Sequence, residues 1–229
     1  MTAKISEIFS SVQGEGPYAG VRQIFVRFYE CHMHCIWCDT PDAIGDGPKD
    51  YKNYSIAQLQ KEIRRLSSGC HSVSLTGGEP LLQADFIKQL LPYIKESGLK
   101  VYLETSGVLY KELKKVIQDV DIVAMDIKLP SSTQQRAFWK EHRAFLKIAR
   151  QKDVFIKTVI SSKTEMADIK RSVEIAAAVD PKIIFILQPN TFDLQNGVMS
   201  KCLTYHNYCS KHLADVRILP QMHKFLRIR

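Results

Sequence analysis

Six runs of apolar and β-branched residues recur along the 229-residue chain, each closed by glycine, proline or a polar cluster. They are "IFVRFYE" (24–30), "VSLTGG" (73–78), "VYLETSG" (101–107), "DIVAMDIK" (121–128), "VFIKTVI" (154–160) and "IIFILQP" (183–189). Runs of this length and composition read as buried strands. Between most of them lie helix-period segments, among them "SIAQLQKEIRRL" with Ser55 as N-cap, "QADFIKQLLPYIKE", "LYKELKKVIQ" and "TEMADIKRSVEIAAAV". Alternating strand and helix demands parallel pairing through right-handed crossovers. The expected class is therefore α/β, with about six parallel strands and flanking helices in one domain over 1–229. "DVRILP" (215–220) reads as a short last strand ahead of a C-terminal extension, and "DAIGDGPKDYKN" (42–53) reads as loop.

In such folds chemistry gathers beyond the carboxyl ends of the strands. Five sequences stand there: "ECHMHCIWCDT" (30–40), "TGGEP" (76–80), "ETSG" (104–107), "MDIK" (125–128) and "LQP" (187–189). The first places Cys31, Cys35 and Cys38 within eight residues. Thiolates suit zinc or an iron–sulfur cluster. Zinc needs a fourth ligand, for which His32 and His34 are the local candidates, but one short loop lacks the second knuckle of a structural zinc site. A four-iron cluster on three cysteines keeps one iron open to a chelating amino acid. Cys70, Cys202 and Cys209 have no such grouping and read as small buried hydrophobes. The N-terminus lacks a signal-peptide layout and no run reaches membrane-span length, so the chain reads as cytosolic, where metal binding is favoured over disulfides.

Upstream of the cysteines, Gln13, Gly14 and Glu15 form a polar turn ahead of the first strand, able to read the donor and acceptor edge of a pterin-like heterocycle. Arg27 can fork onto a carboxylate or sit in a surface ion pair. Asp39 and Thr40 offer hard oxygens of the kind that hold magnesium, although Thr40 also suits a turn cap. Gly77 and Gly78 allow a ligand to approach the backbone, with Glu79 supplying a carboxylate. The formal net charge of +8 is spread over helices with acids interleaved, so it is a weak sign of a nucleic-acid partner, and the basic tail "HKFLRIR" reads as solvated or dimer-facing.

The C-x3-C-x2-C loop after a strand, followed by "GGEP" and the other strand-end motifs, resembles the radical S-adenosylmethionine superfamily over nearly the whole chain. That resemblance implies an incomplete TIM-like barrel and a [4Fe-4S] cluster on Cys31, Cys35 and Cys38. It implies S-adenosyl-L-methionine on the open iron, with Trp37 beside cluster and adenine, Cys38 and Asp39 adjacent, and Gly78 and Glu79 at the methionine amino group. Glu104, Ser106, Asp126, Ile127 and Lys128 match positions used for the ribose and carboxylate. For Asp126 and Lys128 a plain strand-end network is the alternative. Gln188 faces the adenine or caps a loop.

Within the superfamily, "QGEG", Arg27, "CDT" and the ending Pro220-Gln221-x-His223-Lys224 resemble the members that contract a carboxylated tetrahydropterin to a deazaguanine with loss of ammonia, on the way to queuosine precursors. The substrate would then meet Val12, Gln13, Gly14 and Glu15, together with Arg27, Thr76 and His223. Thr40 would hold Mg2+. No side chain is expected to be the catalytic group, because the cofactor radical abstracts the hydrogen. A flavodoxin or ferredoxin would supply electrons to a cytoplasmic homodimer, with no nucleic acid or membrane partner. One departure stands out: Glu30 precedes the first cysteine where glycine is usual. Two rivals remain, an activase acting on a partner protein's glycine and a zinc-dependent RNA-binding module.

Overall fold

The computed structural model describes residues 1–47 and 50–228; Pro48, Lys49 and Arg229, which belong to the stretches read above as loop and basic tail, lie outside the described residues. All six expected strands form, as β2 (Arg22–Phe28), β4 (Ser72–Gly77), β5 (Lys100–Thr105), β6 (Ile122–Asp126), β7 (Asp153–Ile160) and β8 (Phe185–Pro189), and β9 (Val216–Ile218) is the short last strand. Each pairs in parallel with the next. Two strands were not anticipated. β1 (Thr2–Val12) lies antiparallel to β2, and β3 (Lys52–Ser55) lies antiparallel to β1, completing a nine-stranded sheet in the order β3-β1-β2-β4-β5-β6-β7-β8-β9. Lys52 and Asn53 are therefore strand, not loop. The turn at Gln13–Glu15 joins the β1–β2 hairpin and so follows the first strand. β1 escaped notice because it is half-covered, with few fully buried residues and polar ones between them.

Helices α1 (Ile56–Leu66), α2 (Ala84–Glu96), α3 (Tyr110–Val116), the single turn α4 (Pro130–Thr133), α5 (Trp139–Ala149), α6 (Met166–Val179), α7 (Val198–Cys209) and the short α8 (Met222–Leu226) complete the chain. Ser55 caps α1 as expected, in a reciprocal box with Gln58. The main core packs α1–α3 and α5–α7 against one face of the sheet. A second, smaller cluster of Tyr102, Ile122, Ala124, Phe155 and Ile186, covered by Tyr18, fills the opposite face. Three of its members, Tyr102, Ala124 and Phe155, also line the cavity described below, so this cluster is its floor.

β3 and β9 end the sheet without pairing to each other, so the barrel is open. Hydrogen bonds span the gap instead. Gln188 of β8 donates to Glu15 of the hairpin at 3.2 Å, and the C-terminal segment joins through Met222 N to Gly14 O at 2.8 Å.

Glu30, just past β2, adopts φ 83°, a left-handed conformation that costs an ordinary residue about 1–2 kcal/mol. Three contacts hold it: its N–H donates to Ala43 O at 2.9 Å, its carbonyl accepts from Glu79 N at 2.8 Å, and its carboxylate pairs with Lys4. Gly removes the strain whereas Ala keeps it, and both lose the Lys4 pair. Glu30→Gly is therefore expected to be more stable than Glu30→Ala by about 1 kcal/mol, read as a shift in urea midpoint. Equal midpoints would show that the backbone carries no strain there.

Candidate active site

A cavity of about 510 Å³ opens at the carboxyl ends of the strands and is walled by β1, β2 and β4–β8, the cysteine loop and the C-terminal segment. The loop is pinned by backbone and side-chain bonds. Cys31 N donates to Ile44 O at 2.9 Å, Ile36 N to Thr133 O at 3.3 Å, and Trp37 Nε1 to Ser132 O at 2.8 Å. Cys31 and Cys35 pack on Met33, Val108 and Phe138. Burial pushes the Cys31 thiol up to about 11 and raises Cys35 and Cys38, so this apolar setting needs a metal's charge to yield thiolates.

The three thiols fit a cluster better than one ion. A single zinc would draw its sulfurs to about 4 Å from one another, given bonds of about 2.3 Å in a tetrahedron. Among the described residues, the only such close group of three His, Cys, Asp or Glu ligand atoms, all within 4.8 Å, is Glu15, Asp39 and His223. The histidines of the loop do not complete a zinc site either. His34 pairs with Asp46 at 2.7 Å, and His32, whose buried ring nitrogens have no hydrogen-bond partner among the described residues, is not gathered with two of the thiols in such a close group. Cys202 and Cys209 are buried as expected, whereas Cys70 is only half-buried, its thiol donating to Leu66 O at 3.3 Å.

Several expected positions shift in meaning. A Cβ at Gly77 would lie 2.1 Å from Phe28 O, and one at Gly78 would lie 2.3 Å from Glu30 O. These glycines admit the backbone leading into the cysteine loop, and both also line the cavity. Glu79 does not line the cavity. It is fully buried, and its carboxylate accepts from Leu81 N, Thr105 Oγ1, Ser106 N and Ser106 Oγ at 2.6–3.1 Å, because a buried charge must be met by donors. Ile127 is also core, not cavity, and both its backbone groups are taken by β7.

The other expected residues do converge on the cavity. Asp126 pairs with Lys128 at 2.8 Å, and Lys128 lies 5.1 Å from the centre of the Trp37 ring. Burial opposes the Lys128 charge, but Asp126 more than offsets it and the ammonium is retained. Two buried acceptors, Asp126 Oδ1 and Gln188 Oε1, have no hydrogen-bond partner among the described residues. They lie on the cavity wall, where hydroxyl or amine donors of a ligand would satisfy them. Ser106 is present at the rim with its hydroxyl given to Glu79.

On the opposite wall, Gln13 Nε2 donates to Glu104 Oε1 at 2.8 Å, and Thr76 Oγ1 donates to Glu104 Oε2 at 3.0 Å. Glu104, expected beside the cofactor, thus joins the residues expected around the substrate. Arg27 Nη1 reaches Thr40 Oγ1 at 3.4 Å and Arg27 Nε reaches Glu7 at 3.4 Å, while Thr40 donates to Asp39 at 3.1 Å. Val12 and His223 line the same space, and His223 sits so close that a Cβ on Gly14 would lie 2.2 Å from its Nδ1.

Three contributors were missed. Lys157 of β7 pairs with Glu15, and Gln221 Nε2 donates to Glu15 at 2.8 Å and to Asp39 at 2.9 Å. A lysine inside the apolar run "VFIKTVI" was the available signal for the first. The third, His142 of α5, is fully buried, bridging Gly107 O at 3.0 Å and Lys128 N at 3.2 Å. It thereby ties the "ETSG" turn to the "MDIK" strand end.

Burial pushes His142 down from 6.5 to about 4, and its Nε2 must stay unprotonated to accept from Lys128 N. The folded value lies below the unfolded one, so stability is intact above pH 6.5 and falls as the pH drops toward about 4. The expected loss is about 3 kcal/mol across that window, read from urea midpoints, and His142→Gln flattens the slope. A wild-type slope in that variant would place the acid sensitivity elsewhere.

The radical SAM superfamily model matches residues 25–170. A 7-carboxy-7-deazaguanine synthase from Geobacter sulfurreducens is 41% identical, over 98% of this chain and 97% of its own length. The chain belongs to the 7-carboxy-7-deazaguanine synthase family. A synthase from Archaeoglobus fulgidus is 35% identical over the full length of both chains. In fold, the chain is similar to the crystal structure of QueE from Escherichia coli, with a TM-score of 0.66 at 22% identity, covering 97% of this chain and 95% of the other. The superfamily implies a [4Fe-4S] cluster and S-adenosylmethionine as cofactors, a small-molecule substrate and a reductant. Among the described residues no helix is long and apolar enough to cross a membrane.

Proposed function

We propose that this chain converts 6-carboxy-5,6,7,8-tetrahydropterin to 7-carboxy-7-deazaguanine by radical ring contraction with loss of ammonia, a step of 7-deazapurine biosynthesis. The observation that carries this reading is that one cavity brings the three-cysteine loop together with the Arg27 guanidinium and the Gln13–Glu15 turn. The first suits a cluster, the second a carboxylate, and the third a heterocycle edge.

When bound, the reduced cluster and S-adenosylmethionine supply the radical that removes hydrogen from the substrate. The chain's own residues bind, orient and exclude water. Arg27 presents its fork to the substrate carboxylate, and Gln13 and Glu15 meet the ring edge. Asp126 Oδ1 and Gln188 Oε1 take hydroxyl or amine donors of the cofactor. Tyr102 and Phe155 close the floor against solvent. Thr40, with Asp39, would hold Mg2+ through hard oxygens, and the ion would supply positive charge for a carboxylate substrate. A flavodoxin or ferredoxin as electron donor, a homodimer and one functional unit over 1–229 complete the proposal. Exposed Phe192, Phe225 and Leu226 support the pairing of two copies.

Anaerobic incubation of the cluster-loaded chain with the carboxypterin, S-adenosylmethionine, dithionite and magnesium is expected to yield 7-carboxy-7-deazaguanine. Thr40→Ala at low magnesium should lower turnover by about tenfold with iron content unchanged, since one weak oxygen ligand is lost. Absence of product with full cofactor cleavage would reject the substrate. A wild-type magnesium titration in Thr40→Ala would move the metal away from Thr40.

A further inference from the structure

Four charged side chains run in an unbroken line along the cavity wall. Lys128 Nζ lies 2.8 Å from Asp126 Oδ2, Asp126 Oδ2 lies 3.7 Å from Lys157 Nζ, and Lys157 Nζ pairs with Glu15 Oε2. The side chains of Lys157 and Glu15 are each only 17% exposed. An unpaired carboxylate at that depth is strongly disfavoured, and removing one partner of such a pair leaves the other charge stranded. Burial also works against each of the two charges, yet the pairing outweighs it: Lys157 is raised and Glu15 lowered from their ordinary ranges.

The two residues belong to elements far apart in the chain. Glu15 sits on the β1–β2 turn and Lys157 on β7, across the open edge of the barrel. The neutral amides of Gln188 and Gln221 also reach the Glu15 carboxylate, both on Oε1. Lys157 supplies the cation on Oε2 and is itself anchored on its other side by Asp126. The turn's backbone is held separately, through Gln13 N to Val21 O and Met222 N to Gly14 O, so what Lys157 fixes is the direction of the Glu15 carboxylate, by an ammonium carried on a central strand.

We propose that Lys157 is a positioning residue for substrate recognition, holding the Glu15 carboxylate in the geometry that meets the heterocycle. This rests on the function proposed above. Lys157 acts through Glu15, so its effect must vanish once the Glu15 charge is gone, whereas a general wall contact would act regardless of Glu15.

The test is a double-mutant cycle on the full chain loaded with its cluster, with S-adenosylmethionine present and reductant omitted. The carboxypterin is titrated by calorimetry into wild type, Lys157→Met, Glu15→Gln, the double variant and Lys157→Arg. Lys157→Met is expected to weaken substrate binding by about 30-fold, as for loss of one partner of a buried charged pair, while affinity for S-adenosylmethionine stays within about threefold. The double variant is expected to bind within about threefold of Glu15→Gln alone, and Lys157→Arg to recover most of the loss. Should Lys157→Met fail to assemble its cluster, the double variant still decides, because it removes both buried charges together. A further loss of about tenfold in the double variant beyond Glu15→Gln, or parallel losses of substrate and S-adenosylmethionine in Lys157→Met, overturns the inference. Wild type that takes up no carboxypterin would instead overturn the proposed function, and this inference with it.

Discussion

Alanine at any one of Cys31, Cys35 or Cys38 is expected to leave the purified chain with less than about a tenth of the wild-type cluster and no reductive cleavage of S-adenosylmethionine, because three thiolates are the minimum that holds a four-iron cluster with one open iron. Among the described residues no other cysteine is placed to replace one of them. Cys202 and Cys209 are buried under the main core, and Cys70 bonds to the end of α1. His32 and His34 share the loop, but His34 faces Asp46. Anaerobic reconstitution followed by iron and sulfide analysis and the visible absorption band reads the result directly. The fold itself should persist, since the loop stands outside the main core and is pinned through Ile44, Thr133 and Ser132 without help from the thiols. A single variant that keeps the full four-iron complement would remove that cysteine from the ligand set.

Arg27→Ala is expected to weaken carboxypterin binding by about 30- to 100-fold while leaving the cluster and S-adenosylmethionine affinity intact, the usual consequence of removing a charge-assisted partner of a carboxylate. Arg27 pairs across the hairpin with Glu7 and next to Thr76 of β4, which aims its side chain into the cavity. Its contacts there, to Glu7 and Thr40, are both long at 3.4 Å. Half-exposed pairs of this kind contribute about 0–1 kcal/mol, so the variant should lose little stability. Arg27→Lys should restore binding only in part, because a point charge does not reproduce the planar fork. Unchanged substrate affinity in Arg27→Ala would make the guanidinium a plain ion pair with Glu7. Calorimetric titration without reductant separates these outcomes, and a thermal melt of the same sample checks the stability.

Much of this site was legible before any coordinates. The cysteine spacing and the strand-end motifs are local in sequence, and parallel strands with crossover connections bring their carboxyl ends to one side whatever the details of packing. Thus Trp37, Thr76, Ser106, Asp126, Lys128 and Gln188 all reach one cavity. Residues whose role depends on direction were harder to read. Glu79 and Ile127 sit just past the ends of β4 and β6, beside cavity residues in sequence, but each points into the protein, where Glu79 is held by Leu81, Thr105 and Ser106. Gly77 and Gly78 have a motif-like appearance, yet the atoms that would collide with a side chain there belong to Phe28 and Glu30.

The fold class is written in short-range periodicity and the three-cysteine loop in spacing, and the family was legible through the resemblance of its motifs along nearly the whole chain. Only the tertiary structure decided that β1 folds back on β2, that Glu104 joins Gln13 and Thr76, and that Lys157, Gln221 and His142 belong to the site. Those contacts join residues far apart in the chain. Their partners are chosen by the curvature of the sheet and by the need to satisfy every buried charge and donor, and no local pattern encodes either.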